Sequence, residues 1–240
     1  MTELIYQLDS YCKDFDAQVL AVNTEFNAIH LDRTCVYPGG GGQPFDKGSL
    51  SANGIDLHFT RAKTINGERW HLLESPQTLP EIGTNVHGVI DWGYRHQLMR
   101  THTAMHILCG VIFRDYGAHV TGGDMQALEA RMDFEFETLS RELIRIIEEA
   151  VNKEVQLAHP VRVKILPREE AFQIPDLIRT KINLLPEHIS EIRTVEIAGL
   201  DLQADGGTHV TNTSEVGHIR ISDYKSKGKI NKRIYVSIED

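Results

Sequence analysis

Two stretches of the sequence decide its interpretation: His102-Thr103-Ala104-Met105-His106 and, much further along the chain, Asp205-Gly206-Gly207-Thr208-His209. Two histidines four positions apart lie on one face of a helix, where both can bind one ion. The second stretch adds an imidazole and a carboxylate, and zinc binds both ligand types. Because glycine adopts backbone angles that other residues avoid, the Gly-Gly pair is expected to turn the chain and aim both ends at one point. The sequence therefore predicts a metal site formed by His102, His106, Asp205 and His209.

Hydrogen-bonded core histidines are the alternative interpretation of the first stretch. The residues around its second histidine, Ala104 to Leu108, are mostly apolar, and a buried histidine there needs only a hydrogen-bond partner. The second stretch favours the metal site, since it supplies the two ligands that the helical pair lacks.

Further motifs accompany these two stretches in a fixed order. They are Tyr37–Gly48, Ala130–Phe134, Ile147–Asn152, Arg168–Ala171, Ile192–Ile197 and Thr213–Gly217. Together with the two histidine stretches, this series resembles the editing domain of alanyl-tRNA synthetase and its free-standing relatives, the AlaX proteins. The resemblance covers most of the chain.

The resemblance implies a trans-editing hydrolase that removes the wrong amino acid from mischarged tRNA(Ala), with Ser-tRNA(Ala) as the main substrate and Gly-tRNA(Ala) as a second one. It also implies a zinc site of three histidines and one cysteine. Here Asp205 stands where the family pattern has the cysteine. A carboxylate is an accepted zinc ligand, but it is harder and donates less electron density than a thiolate. The expected ion is still Zn²⁺, but Asp205 selects zinc over other metals less strongly than the family cysteine would.

The zinc ion of such a site can have either of two roles in the reaction. Zinc can polarise a water molecule for attack on the ester, or it can hold the free amino group of the substrate. The sequence does not choose between these roles. It lacks a Gly-x-Ser-x-Gly nucleophile elbow, which argues against a covalent serine mechanism.

Three other polar residues are candidates for catalysis. Arg193 matches a family stretch close to the site and suits phosphate or carbonyl recognition, although an arginine beside a strand is more often a surface ion-pair partner. Thr121 can offer a hydroxyl that distinguishes serine from alanine, or it can be a cap or turn residue. Thr208 can orient water, or it can bond only to its own turn.

The glycine run from Gly39 to Gly42 has two interpretations. No Gly-Lys-Ser/Thr sequence or helix start follows it, so it is not a Walker-type nucleotide loop, and a turn between strands is its structural interpretation. The resemblance places it beside the editing pocket, facing the aminoacyl group or the terminal adenosine. On that basis the substrate-binding candidates are Gly40, Gly41, Gly42, Gln43 and Asp46.

Composition limits the class of protein and its partners. The 240 residues are 41% hydrophobic, which is enough for real cores, and three unpaired cysteines indicate a reducing compartment. Neither a signal sequence nor a membrane-spanning run is present, so we expect a cytoplasmic protein without a membrane or an obligate protein partner. The net charge of -9 is unfavourable for the expected tRNA partner, but the stretch Lys225–Arg233 is locally basic. Its alternative is a solvated hairpin.

The periodicity of the chain changes near residue 90. Before it, short apolar segments separated by Gly, Pro, Asn and Asp predict antiparallel strands, and a small barrel is their expected closure. After it, helices are predicted at Arg95–Phe113 and Leu139–Val155, followed by strands. We therefore predict an α+β protein: a glycine-rich-motif β-barrel domain over residues 1–90, and a metal-binding editing domain over residues 91–240 with helices on an antiparallel sheet.

Two other functions remain open at this point. Asp205 can mark a decayed metal site, in which case the chain is a non-catalytic module that binds aminoacyl-tRNA or nucleic acid. Alternatively, the chain is a metal-dependent hydrolase of another small ester or amide. The retention of three histidines and the Gly-Gly turn argues against decay, because a lost site should lose more than one ligand.

Overall fold

The structure is a computed structural model that describes residues 2–74, 78–180 and 189–240. The chain divides into two compact units, the first ending at His96 and the second beginning at Gln97. This division falls inside the first helix, whereas the sequence suggests a boundary at residue 90. The assignment of a separate role to each unit stays a prediction.

Strands form most of the first unit. In its described part they are β1 (Glu3–Leu4), β2 (Asp14–Asn23), β3 (Ala28–Leu31), β4 (Arg33–Thr34), β5 (Gly48–Ala52), β6 (Ile55–Ile65), β7 (Glu68–Leu73) and β8 (Asn85–Ile90), with a 3₁₀ turn at Ile5–Gln7. Six of these strands close a barrel in the order β2-β3-β7-β6-β5-β8, and each pairing in it is antiparallel. Closure leaves these strands without free edges. The predicted small barrel is therefore confirmed.

Local sequence explains why the barrel strands form hairpins. Asn53-Gly54 joins β5 to β6, and Asn66-Gly67 joins β6 to β7. All four residues have positive φ, between 51° and 83°, which is the conformation that a two-residue hairpin turn of type I′ requires. Along β2, buried and exposed residues alternate, and Phe15 lies on the buried face that fills the barrel.

The second unit combines helices with two antiparallel sheets. Its elements in the described part are α1 (Trp92–Tyr116, which begins in the first unit), β9 (Val120–Gln126), β10 (Glu129–Glu135), α2 (Arg141–Gln156), β11 (Val161–Pro167), α3 (Arg168–Ala171), β12 (Glu191–Ile197), β13 (Asp201–Ala204), β14 (His218–Ser226) and β15 (Asn231–Glu239), with a 3₁₀ turn at Thr213–Glu215. One sheet has the order β14-β15-β10-β9, and the other has the order β11-β12-β13. The predicted α+β class is confirmed.

Helix α1 is buried on every side along its central part. All residues from Thr101 to Ile112 are buried, although the spacing of apolar residues that predicted this helix describes only one face. The chain therefore packs around α1, and any polar side chain in this segment needs a partner from the surrounding elements.

Helix α2 shows the ordinary amphipathic pattern. Ser140 caps its first turn by accepting a hydrogen bond from the backbone N–H of Leu143 at 3.1 Å. Ile144, Ile147 and Val151 lie on its buried face. Asn152 connects the helix to β14, because its amide group bonds to both the N–H and the C=O of Ile219 at 2.9 and 2.7 Å.

Membrane insertion through a helix finds no support in the part of the chain that the structure describes. None of the helices there combines the length and the apolar character that crossing a bilayer requires.

Candidate metal centre

The two stretches singled out in the sequence meet inside the second unit. His102 and His106 lie one turn apart on α1, and Asp205 and His209 belong to the loop that follows β13. Each of the four residues offers one ligand atom, and these atoms all lie within 4.8 Å of one another. The structure thus brings together the four residues that the spacing selects.

The separations of the ligand atoms are compatible with one ion of the size of zinc. Ligand atoms that bind zinc at 2.0–2.2 Å are about 3.4 Å apart. Oδ2 of Asp205 lies 3.0 Å from Nε2 of His209, and Oδ1 lies 3.5 Å from Nε2 of His102. The rings of His102 and His209 are stacked with centroids 4.2 Å apart. The four ligand atoms, now within 4.8 Å of one another, would have to approach to about 3.4 Å to hold one ion.

Hydrogen bonds outside the cluster orient two of the imidazoles. Nδ1 of His106 lies 3.1 Å from Oδ2 of Asp201, and Nδ1 of His209 lies 3.2 Å from the hydroxyl of Thr103. The hydroxyl of Thr103 is fixed in turn, since it accepts a hydrogen bond from the backbone N–H of Val210. Because the Nδ1 atom of each histidine has a partner outside the cluster, the Nε2 atoms are the ones that would bind an ion, as outer partners of metal ligands commonly arrange.

Protonation states favour metal binding at most of the cluster. Burial lowers the pKa of His102 to about 4, and it also lowers the pKa of His209 well below its ordinary value. Burial acts in the opposite direction on Asp205, but the surrounding imidazoles, His102 first, hold the pKa of its carboxyl well below the ordinary value. Neutral imidazoles and an ionised carboxylate are the forms that bind metals.

His106 differs from the other two imidazoles. Burial lowers its pKa, but the hydrogen bond and the charge of Asp201 outweigh burial, so the pKa of His106 is raised. Asp201 is thus electrically coupled to the cluster without being part of it.

The loop that carries Asp205 turns for a different reason from the one predicted. Neither Gly206 nor Gly207 has a φ in the left-handed region, so the expectation that the pair turns the chain through unusual backbone angles is wrong. Instead, the side chain of Asp205 makes the turn by accepting a hydrogen bond from the N–H of Gly207 at 2.7 Å. The carboxylate of Asp205 therefore both shapes the loop and faces the cluster.

Arg193 lies beside the cluster on β12, so its interpretation as a surface ion-pair partner is wrong. Its side chain is 5% exposed, its Nη1 donates to the backbone oxygen of Asp205 at 2.8 Å, and Nη1 lies 3.6 Å from Oδ2 of that residue. A fixed guanidinium is thus available at the edge of the site. Thr208 is fully buried next to His209.

Thr121 occupies a different environment. It lies in β9 rather than at a cap or turn, it is exposed, and its hydroxyl donates to Oδ1 of Asn231 at 3.1 Å. Its role in selecting serine stays a prediction.

The glycine run forms a tight turn in the first unit. All four residues from Gly39 to Gly42 have positive φ, and Gly40 and Gln43 exchange two backbone hydrogen bonds of 3.0 and 2.9 Å. The turn interpretation is confirmed, and four consecutive residues in this region require glycine. Gly40 and Gly41 are exposed, whereas Gln43 and Asp46 are buried.

Asp46 anchors this turn to α1. Its Oδ2 accepts from the N–H of Tyr37 at 2.6 Å, and its Oδ1 accepts from Nε of Arg95 at 2.7 Å. The guanidinium of Arg95 also donates to the backbone oxygens of Cys35 and Ser10 at 2.7 and 3.0 Å. This network explains how the glycine turn keeps one shape, while a contact with substrate stays a prediction.

Sequence reasoning missed the residues that support the cluster, namely Asp201, Thr103 and Arg179. A signal for Asp201 was present, because it is an acidic residue four positions before the predicted ligand Asp205, at the start of the strand that leads into the ligand loop. Thr103 gave no such signal, since a threonine inside a helix is ordinary.

Two family comparisons match separate parts of the chain. Residues 4–94 match the family described as class II (A) tRNA synthetases, and residues 192–235 match the threonyl and alanyl tRNA synthetase second additional domain. The second match contains Arg193, Asp205 and His209.

Comparison with individual proteins covers the whole chain. The alanyl-tRNA editing protein AlaX-M of Saccharolobus solfataricus is 39% identical over 243 residues, which is 100% of both chains. AlaX-M of Methanosarcina mazei is 37% identical and covers 100% of this chain and 98% of its own length. The alanine–tRNA ligase of Pyrococcus furiosus is 38% identical over 92% of this chain, but over only 24% of the ligase. The chain belongs to the family of alanyl-tRNA editing proteins that the two AlaX-M relatives represent.

Proposed function

We propose that this chain is a metal-dependent aminoacyl-tRNA deacylase that edits mischarged tRNA(Ala) in trans, in the cytoplasm. Ser-tRNA(Ala) is the main proposed substrate and Gly-tRNA(Ala) the second. One observation carries the proposal: His102, His106, Asp205 and His209 converge on one point in a chain whose full-length relatives are named alanyl-tRNA editing proteins.

Zinc is the proposed ion, and it would be held by these four side chains. Its contribution is that of a Lewis acid. The burial of the three imidazoles supports a dry environment in which electrostatic interactions are strong. Arg193 can stabilise the negative charge that develops on the ester carbonyl oxygen, because its guanidinium lies next to the proposed ligand Asp205, at the edge of the site. Thr208 can orient the attacking water.

For the rest of the substrate we propose two contact regions, one in each unit. The backbone of Gly40, Gly41 and Gly42, of which the first two residues are exposed, is proposed to contact the aminoacyl group or the terminal adenosine, with Gln43 and Asp46 as the polar members of the loop. The hairpin of β14 and β15 is proposed to contact phosphates. Several of its cations have acidic neighbours, such as Arg233 with Asp133 at 2.6 Å, so binding is expected to be weak and sensitive to salt.

Asp205 gives a direct test of the metal site. The variant Asp205→Ala should bind zinc at least about 10-fold more weakly, while Asp205→Cys should bind as tightly as the wild type or more tightly. Zinc content and affinity are measured by elemental analysis and by competition with a chromophoric chelator. Equal binding by all three proteins would mean that Asp205 is not a ligand.

Deacylation assays test the function itself. The wild type should release serine from Ser-tRNA(Ala) much faster than buffer while leaving Ala-tRNA(Ala) largely intact, and the double variant His102→Ala/His106→Ala should lose this activity. A wild type that clears neither Ser-tRNA(Ala) nor Gly-tRNA(Ala) would refute the proposal. Tight tRNA binding in that case would favour the non-catalytic module, for which Arg193 supplies a cation beside the cluster, 3.6 Å from Oδ2 of Asp205. Zinc binding without tRNA binding would favour a hydrolase of another small ester or amide.

Thr121→Val is expected to reduce discrimination between serine and alanine. The prediction requires that the bound substrate buries the hydroxyl of Thr121, since a buried hydroxyl that pairs with serine but not with alanine costs about 1–3 kcal/mol when it is left unpaired. The variant should therefore narrow the rate ratio of the two esters more than it lowers the overall rate. Thr64→Val, at an exposed strand position of the barrel, is the matched control. An unchanged ratio in Thr121→Val would exclude this residue from selection.

A further inference from the structure

A buried carboxylate lies behind the metal cluster and takes no part in the proposed chemistry. The side chain of Asp201 is 0% exposed, and its Oδ2 lies 3.1 Å from Nδ1 of His106. The same oxygen accepts a hydrogen bond from the side-chain amide of Gln203 at 2.6 Å, and Oδ1 lies 3.3 Å from Nε of Arg179. Both carboxylate oxygens therefore have fixed partners.

This geometry determines which nitrogen of His106 is available. An ionised carboxylate only accepts hydrogen bonds, so the hydrogen of the neutral imidazole is held on Nδ1 and the lone pair remains on Nε2. His106 also lies against His209, with ring centroids 4.7 Å apart. The nitrogen without a hydrogen is thus the one left for an ion, and the negative charge of Asp201 makes it a stronger donor.

We propose that Asp201 is a positioning residue that fixes His106 as an Nε2 ligand and strengthens it as a donor to the ion. This inference rests on the proposed metal-dependent function. Gln203 and Arg179 hold the carboxylate of Asp201 in its orientation.

The competing explanation is that Asp201 only neutralises Arg179. The chain contains a matched comparison in Glu154, another buried carboxylate held by an arginine and a histidine. Its oxygens lie 2.6 Å from Nη1 of Arg114 and 2.8 Å from Nε2 of His159, and its side chain is 8% exposed. Glu154 is not in the four-residue cluster, so neutralising Glu154 removes a similar network without touching a proposed ligand.

The experiment compares zinc affinity in the full-length wild type, Asp201→Asn and Glu154→Gln by chelator competition. The visible spectrum of each Co²⁺-loaded protein supplies a second reading, because it reports the coordination of the ion rather than the stability of the fold. We expect Asp201→Asn to lose about 10- to 100-fold in zinc affinity and to show an altered spectrum. Glu154→Gln should match the wild type in both, even if both variants lower the midpoint of urea unfolding.

Two further variants guard against loss of folding. Arg179→Gln removes the cation but keeps the contact of Asp201 with His106, so its zinc affinity should stay within a few-fold of the wild type. If Asp201→Asn cannot be purified, the double variant Asp201→Asn/Arg179→Gln replaces it, because it removes both charges of the pair. Its zinc affinity is then compared with that of Arg179→Gln.

Three results would overturn the inference. The first is that the variant without the Asp201 carboxylate has the same zinc affinity and the same Co²⁺ spectrum as the wild type. The second is an equal loss of affinity in Glu154→Gln. In both of these cases the wild type binds zinc, so the proposed function stands. The third is a wild type that binds neither zinc nor Co²⁺, which overturns the proposed metal-dependent function together with this inference.

Discussion

The variant His106→Ala is expected to lose tight zinc binding, with affinity reduced by more than about 100-fold, since removing a direct ligand should exceed the effect of removing an outer partner. His106 contacts two other members of the cluster, with ring centroids 5.2 Å from His102 and 4.7 Å from His209. Without it, three ligands remain and Asp201 loses its imidazole partner. Elemental analysis of the purified protein and chelator competition measure the loss.

The control for this variant is His96→Ala. His96 lies on the same helix, but its ring stacks on Trp92 at 5.4 Å and it is not a member of the cluster. It should bind one zinc ion like the wild type. If His106→Ala retains one equivalent with unchanged affinity, the four-residue site is wrong.

The second large effect is expected at the anchor of the glycine turn. Arg95→Met should reduce the free energy of unfolding by about 3–5 kcal/mol, because it leaves a buried carboxylate without its charge partner. The side chains of Arg95 and Asp46 are 0% and 1% exposed. Urea unfolding followed by fluorescence measures the change.

Arg33→Met is the matched control for that experiment. Arg33 also pairs with a carboxylate, that of Glu3, but the two side chains are 47% and 59% exposed. An exposed ion pair contributes at most about 1 kcal/mol. A similar small effect in both variants would show that the buried pair contributes no more than the exposed one.

Local signals were sufficient for much of the fold. The barrel hairpins follow from Asn-Gly turns such as Asn66-Gly67, and helix α2 follows from its apolar spacing and the cap at Ser140. Strands β9 and β10 were missed, because Thr121-Gly122-Gly123-Asp124 lacks the alternation of a half-buried strand. These two strands pair with each other, and β10 also pairs with β15, about a hundred residues later in the chain, as in the register of Met132 with Ile234. Such pairing has no local signature.

The same distinction holds for the site. The four proposed ligands were found because their spacing is itself the signal: one helical turn in α1, and one tight turn in the loop after β13. The supporting residues are different: Asp201 had only its spacing from Asp205 as a signal, and Thr103 is defined only by what packs against it. Arg193 lies between these cases. Its strand surroundings favoured a surface ion pair, its match to a family stretch favoured a position close to the site, and the fold shows it buried beside Asp205.

The complete burial of α1 from Thr101 to Ile112 also limits how this protein can evolve. A helix with a solvent face tolerates drift at many of its positions, but here each substitution changes volume or polarity inside a packed interior. A series of single substitutions cannot move the two histidines to other positions of the helix, because each intermediate protein would bury an imidazole that has no partner. Exposed positions such as Thr121 on β9 are freer to change, while the two histidines of α1 stay at their positions.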